Sequence, residues 1–228
     1  MAGQNRTGPR VDRAQARREL EVARKREGIL SAAARAFARG GYHATTMQDI
    51  AREAGYTPPS LYAYFTGKEQ IFVELAALLS REFTAVFDEP LPARLPFRER
   101  LEQLLRRLYE KADRHRDAVS VFLMARLSGE ALIGQEMATR SGLGTDFSSV
   151  QAFVVWLQKT AKRPDLGGHS AEELGVALAG LAHAFCIQWL SDGGKTDIAT
   201  EAARVTSLFL HGAHGDAARN AKPSRTRG

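Results

Sequence analysis

Residues 57–68 read Thr-Pro-Pro-Ser-Leu-Tyr-Ala-Tyr-Phe-Thr-Gly-Lys. Hydroxyls, phenols and an ammonium group all donate hydrogen bonds, and donors of this kind bind phosphate oxygens along a DNA backbone. Lys68 falls at the start of a helix, where a cation opposes the helix dipole unless an anion sits there too. Taken with Thr57, Ser60, Tyr62 and Tyr64, it forms a surface for a DNA backbone and one groove. The competing assignment is a small helical core in which the tyrosines are packing.

The elements that position these residues are legible on either side. Thr46 opens a short helix as its cap, with Asp49 at the favoured acidic position three residues on. Ile50 and Ala54 share a face, and Ala51 is small enough to admit a neighbouring helix. Gly55 follows at the C-terminal end, where a left-handed backbone costs least. Thr57 caps a second helix with Pro58 in its first position. Pro59 disfavours helical angles in the residue before it, so the first turn is expected to be irregular. Leu61 and Phe65 point inward at a spacing of four, which leaves at least one of Tyr62 and Tyr64 for solvent or a partner. Thr66 reads as a further cap with Glu69 closing its box. A long helix then runs to about Phe87 with Ile71, Leu75, Leu78, Leu79 and Phe83 on its buried side. The unit is a helix-turn-helix followed by a connecting helix.

The chain has 228 residues, 44% of them hydrophobic and 25% charged, which is ordinary for a soluble globular protein. Its net charge is +6. Residues 1–68 hold 12 basic and 6 acidic side chains, whereas residues 69–228 hold 20 of each. The whole excess therefore lies with the helix-turn-helix, as a nucleic-acid footprint requires. Cys186 is the one cysteine, so no internal disulfide forms. The N-terminus lacks the apolar core of a secretory signal. The most apolar stretch, Leu174 to Leu190, includes His183 and Gln188 and is short for a membrane span. A cytoplasmic protein is expected.

Along the chain, residues 1–10 are polar and expected to be disordered. Helix formers dominate from Val11 to Arg39, with an apolar stripe only in the second half at Ile29, Ala33 and Phe37. Arg13, Arg17, Arg18, Arg24, Lys25 and Arg26 precede that stripe, as a solvated face or as an arm for the DNA backbone. After the proline-marked loop 88–96, helices are expected at 97–114, 117–127, 130–139, 145–162, 171–191 and 197–211. No segment alternates like a strand. The tail from Ala217 carries basic residues and no acid. Residues 174–190 are apolar nearly all round, and a helix with no polar face must be covered on every side. A partner subunit is the natural cover in a chain of this size, burial within one subunit being the other. His183 with Cys186, and His211 with His214, are spaced to share a metal on a helix, but two ligands do not make a site. No metal, cofactor or catalytic site is expected, and no enzyme motif is present.

The stretch REGILSAAARAFARGGYHATTMQDIAREAGYTPPSLYAYFTGKEQIF, residues 26–72, resembles the tetracycline-repressor-like (TetR) family of bacterial transcription regulators. Ile29-Leu30, Ala33-Ala34, Phe37, Gly41-Tyr42, Thr45-Thr46, Ile50-Ala51, Ala54-Gly55, Leu61-Tyr62, Tyr64-Phe65 and Lys68-Glu69 carry it in register. The resemblance covers about a fifth of the chain. It implies an all-α protein of about nine to ten helices. A basic, partly disordered arm would occupy residues 1–20 and the DNA-binding domain residues 21–67. A helical ligand-binding and dimerisation domain would occupy 68–214, and a disordered basic tail 215–228.

Family members typically bind palindromic operators as dimers, repress, and are released by a small molecule. The family's DNA-facing positions map onto Thr46, Gln48, Thr57, Pro58, Pro59, Ser60, Tyr62 and Ala63, with Tyr64 and Lys68 as phosphate contacts. Gln48, Thr57 and Ser60 have the chemistry to hydrogen-bond base edges or phosphates, while Pro59 and Ala63 offer apolar contact. The recognition helix has no Arg or Asn, so specificity is expected to lean on Gln48, apolar contacts and DNA shape. Helices 171–191 and 197–211 would form the homodimer interface. Pocket candidates on the middle helices are Leu104, Leu108, Phe122, Met124, Phe147, Val150, Phe153, Val154 and Trp156, suited to an apolar or aromatic effector. The alternative is a helical small-molecule-binding protein or enzyme that keeps the fold without specific DNA binding.

Overall fold

The computed structural model describes residues 10–127 and 149–220, with the side chains of 13–123 and 150–212. Every regular element among them is helical. In chain order these are α1 (Arg10–Gly40), α2 (Met47–Ala54), α3 (Pro58–Tyr62), α4 (Lys68–Asp88), α5 (Phe97–Arg114), α6 (Arg116–Leu127), α7 (Ser149–Thr160), α8 (Ala171–Ser191) and α9 (Ala202–Asn220). Two 3₁₀ turns, Arg163–Leu166 and Ile198–Glu201, precede α8 and α9. The expected helix 130–139, the start of the one at 145, Met124 and Phe147 lie outside the described residues or side chains. The chain forms two compact units, Met1–Leu75 and Ala76–Gly228.

In the first unit the apolar stripe of α1 (Ile29, Ala33, Phe37) is buried with Ile50, Leu61, Phe65 and Ile71. The division falls at Leu75 rather than after residue 67 because the first turns of α4 belong to this core. Phe72 stands 6.1 Å from the Phe37 ring and 4.9 Å from Tyr42. Thr46 caps α2 as expected: its hydroxyl accepts from the Asp49 amide at 3.2 Å, and the Asp49 carboxylate accepts from the Thr46 amide at 3.0 Å. Gly55 ends α2 in the left-handed region at φ 73°. Thr57 caps α3, and Pro58 begins it. The cap at Thr66 differs from expectation. Its amide and hydroxyl donate to Gln70 Oε1, at 2.7 and 3.0 Å, and not to Glu69. Because α4 begins at Lys68, Gln70 and not Glu69 occupies the third helical position, from which a side chain reaches back.

One carboxylate joins α2 to α1 and a second closes the cap of α2. Glu53 accepts from Arg35 Nε at 2.7 Å and also pairs with Arg39, joining α2 to α1. The Arg35 hydrogen bond, followed by that of Arg39, holds the Glu53 carboxyl below its ordinary value. The Thr46 hydroxyl does the same for Asp49. Because folding lowers both pKa values, the stabilisation is present above the ordinary carboxylate range and is lost as pH falls through it. The expected outcome is a melting temperature for the first unit that is flat near neutrality and falls below about pH 4.5. Circular dichroism melts of the wild type and Glu53→Gln check it: the variant should lose part of the acid dependence.

In the second unit α5 is strongly amphipathic and buries Leu101, Leu104, Leu105 and Leu108. Helices α7 and α8 cross where Gly175 meets Val154: a Cβ there would lie 2.4 Å from Val154 Cγ2 and 3.2 Å from its backbone N. Arg116 lies over the Trp189 ring at 4.9 Å, and Trp189 Nε1 donates to the Thr196 carbonyl at 2.8 Å. Helix α8 is long and apolar enough to cross a membrane by length and composition. Its Leu174, Leu178, Ala182, Cys186 and Trp189 are nevertheless buried within the unit. The other side is not: Val176 is 59% exposed, and Leu208 of α9 is 49% exposed. Helix α9 starts five residues later than the expected helix, behind the Asp197-capped 3₁₀ turn. It runs on to Asn220, into the stretch expected to be a disordered tail.

Candidate nucleic-acid interface

The helix-turn-helix residues gather on the outside of the first unit. Thr46, Gln48, Thr57, Pro59, Ser60, Tyr62 and Ala63 are exposed, and Pro58, Tyr64 and Lys68 are half-buried. Tyr62 is 53% exposed while Leu61 beside it is fully buried, so α3 turns one apolar edge inward and presents the rest. Ser60 and Thr57 share a hydroxyl–hydroxyl hydrogen bond of 2.8 Å, which orders the start of α3 and leaves lone pairs and a donor for an outside partner. Tyr64 packs edge-on against Tyr56 at 5.8 Å.

Lys68 has a partner that its sequence position did not suggest. Its ammonium donates to the carbonyls of Tyr42, His43 and Thr45 at 3.0, 3.0 and 3.1 Å. It also stands 4.8 Å from the Tyr42 ring centre. An ammonium has three donors, and all three are engaged here. The cation at this helix start therefore has three loop carbonyls to offset its repulsion from the dipole. Lys68→Ala is expected to remove about 1–2 kcal/mol of stability, read as a lowered melting temperature. Lost DNA affinity at an unchanged melting temperature would instead assign Lys68 wholly to phosphate.

Arg26 plays a matching part that sequence reading missed. It donates to the Tyr64 carbonyl and pairs with Glu74. Its guanidinium lies 4.2 Å from the Phe65 ring centre, so it fixes the chain just after α3. These partners are 38 to 48 residues away, and no local spacing signals them.

In the second unit a cavity of about 120 Å³ lies among α4, α5, α6, α7 and α8. Of the residues expected to line it, Leu108, Phe122 and Phe153 do. Leu104 is buried in the core away from it, Val154 packs on Gly175, and Trp156 stands against Phe97 at 5.8 Å. Val150 is half-buried and does not reach it. Sequence reading overlooked the α4 wall: Phe83 and Phe87, with Ser80 and Thr84 at the same spacing of four. Those two i, i+4 pairs were the available signal. Tyr109 and Cys186 complete the wall with His183. Burial pushes the Cys186 thiol up to about 12 and raises the Tyr109 phenol, so both are neutral at physiological pH. Tyr109 donates a long hydrogen bond to the Ala182 carbonyl at 3.4 Å.

The family described as bacterial regulatory proteins, tetR family, matches residues 29–75, which is the helix-turn-helix with its supports. The HTH-type transcriptional repressor KstR2 of Rhodococcus jostii is 28% identical over 189 residues, 82% of this chain and 90% of the relative. YhgD of Bacillus subtilis, an HTH-type transcriptional regulator, is 33% identical over 94 residues, 41% of this chain and 49% of the relative. The chain thus aligns with about half the length of one of these relatives and nearly all of the other. The fatty acid degradation regulator FadR of Bacillus halodurans has the same fold, with a TM-score of 0.62 at 18% identity across 82% of this chain and 94% of that one. Placed beside an exposed, capped helix-turn-helix in the unit that carries the positive charge, these likenesses give one assignment: residues 29–75 are a DNA-binding domain of the tetR family of bacterial regulatory proteins, in a chain similar along most of its length to transcription regulators of that kind.

Proposed function

We propose that the protein is a cytoplasmic repressor that binds a palindromic operator as a homodimer and is released by a small, uncharged apolar or aromatic effector. The observation that carries this reading is the pairing of two features in one chain. An outward-facing α2–α3 surface sits in the basic unit, and an apolar cavity walled by phenylalanines sits in the other. Gln48, Ser60 and Tyr62 would contact DNA, with Thr46, Thr57 and Tyr64 beside them. Among the described residues the cavity is lined by no Lys, Arg, Asp or Glu, and its thiol and phenol are neutral. A charged ligand would lose its hydration there without a counter-charge.

The dimer reading rests on the outer side of α8 and α9. Val176, Ala177, Gly180 and Ala184 form an exposed strip of apolar and small residues on α8, and Leu208 is exposed on α9. Small residues let a second helix approach closely, and an apolar strip of this kind marks an interaction surface.

Selection of bound genomic fragments at near-physiological salt, followed by footprinting, tests the repressor reading. A two-fold symmetric site with half-sites at a spacing set by the dimer is expected. Weak, salt-sensitive and sequence-independent binding alone would overturn it. The effector reading is tested by thermal shift with uncharged aromatic compounds and their carboxylates, since a tight ligand raises the melting temperature by mass action.

A further inference from the structure

Helix α1 begins at Arg10, although the family match starts only at residue 29 and the apolar stripe only at Ile29. Every residue from 13 to 25 is exposed. The helix therefore carries an arm of several turns that contributes nothing to the core of its unit. We infer that this arm is a second DNA-contacting element, which lays Arg13, Arg17 and Arg24 along the phosphate backbone outside the half-site read by α2 and α3. The inference rests on the DNA-binding assignment above and extends it to a surface outside the family match.

The argument is one of register and charge. At 100° per residue Arg13, Arg17 and Arg24 fall within about 40° of one another, as one stripe. Arg18 and Lys25 lie about 100–120° further round the helix. The stripe extends about 16 Å along the helix axis, over which one DNA strand presents about five phosphates. Two acids lie beside it, Glu21, which feels Arg17 as well as Lys25, and Glu27, three residues after Arg24, and the stripe with Arg18 and Lys25 keeps an excess of positive charge. Glu19 lies on the far side of the helix and accepts from Gln15 at 3.2 Å. Glu21, beside the stripe, is paired with Lys25 at 2.8 Å. Arginine forks suit phosphate oxygens, and a rigid helix presents them at little ordering cost.

A protein partner fits the arm less well. Leu20 and Val22 are its exposed large hydrophobics, at 53% and 47%, and two residues apart on a helix they point to nearly opposite sides. They make no seam at heptad spacing, so the arm lacks the apolar face that another helix would need.

The test compares the full chain with the triple variant R13Q/R17Q/R24Q on two duplexes. One carries the selected site with long flanks, and the other is of mixed sequence and equal length. Each arginine–phosphate contact contributes about 0.9 to the slope of log affinity against log salt. Neutralising three should flatten that slope by about 2.7 for each bound arm, on both duplexes. The loss of affinity between about 50 and 200 mM salt then becomes about 40-fold smaller. Hydroxyl-radical footprints should lose protection in the flanks and keep it at the half-sites, with the melting temperature unchanged. An unchanged slope with unchanged flank protection would overturn the inference. So would a change of association state at constant slope, which would make the arm a protein contact. Loss of half-site protection together with the flanks would overturn it too, by placing these arginines in the recognition surface. Because phosphate contacts do not depend on sequence, the mixed duplex reports on the arm even if no operator is found.

Discussion

Alanine at both Gln48 and Tyr62 is expected to weaken binding to a selected site about 100-fold, with no matching loss of stability. Both side chains are exposed, on α2 and α3. Among the described residues neither is hydrogen-bonded to another, so their removal leaves no buried donor or acceptor unpaired. Each good base-edge or phosphate contact is worth about 1–3 kcal/mol. Two together reach about 2.7 kcal/mol, the equivalent of 100-fold. Their neighbours make poorer probes. Thr57 and Thr46 cap α3 and α2, so their replacement mixes a folding loss with any binding loss. The measurement is equilibrium binding to the selected site and to mixed-sequence duplex, beside a thermal melt. Discrimination between the two duplexes should collapse while the melt stays within about 2 °C, as expected for surface substitutions. An affinity change under about threefold would remove both residues from the interface.

The contrast between these residues and Lys68 shows which parts of the site are written locally. The Thr46–Asp49 box, the left-handed Gly55 and the Thr57-Pro58 start are each complete within four or five residues, and so the sequence spells them out. The exposure of Tyr62 follows from the same local logic once Leu61 and Phe65 take the inward face. Lys68 and Arg26 could not be placed that way. Their partners are backbone carbonyls in a loop 23 to 26 residues away and across a fold 38 residues wide in sequence. A carbonyl has no side-chain identity to read. Lys68 was legible as an oddity, and only the fold shows which oxygens answer it. The Gln70 cap shows a smaller limit: a helix start displaced by one residue exchanges one capping partner for the next.

The cavity was half legible for a related reason. Leu108, Phe122 and Phe153 lie on helices whose apolar faces are plain in the sequence, but facing inward does not say whether a side chain meets a neighbour or a void. Trp156 and Val154 face inward and are packed, against Phe97 and Gly175. Phe83 and Phe87 face inward from α4 and line the space, Phe87 with its ring 5.0 Å from that of Phe153. Only the crossing of helices decides between these outcomes.

That crossing is where the largest stability effect is expected. Gly175→Leu should destabilise the second unit by about 3 kcal/mol or more, the upper end for overpacking a close contact. The distances say why the strain has no easy outlet. A Cβ at 175 meets Val154 Cγ2 at 2.4 Å, which a rotamer change relieves in part. It also meets the Val154 N and Cα at 3.2 and 3.3 Å, and those atoms move only if α7 itself moves. Phe153, next to Val154, and Ala182, two turns along α8, both line the cavity, so separation of the helices would open its wall. Thermal-shift response to any uncharged effector should then fall along with the melting temperature. Gly180 supplies the control on the same helix. A Cβ there meets nothing within 4 Å, and the residue is exposed. Gly180→Ala should therefore raise monomer stability by up to about 1 kcal/mol, through helix propensity alone. Urea melts of the two variants separate the effects, with opposite signs expected. If Gly175→Leu melted like the wild type, the close approach of α7 and α8 would not exist in solution. If Gly180→Ala were destabilising in a manner that depends on protein concentration, its open space would be filled by a second copy of the chain, as the proposed dimer expects.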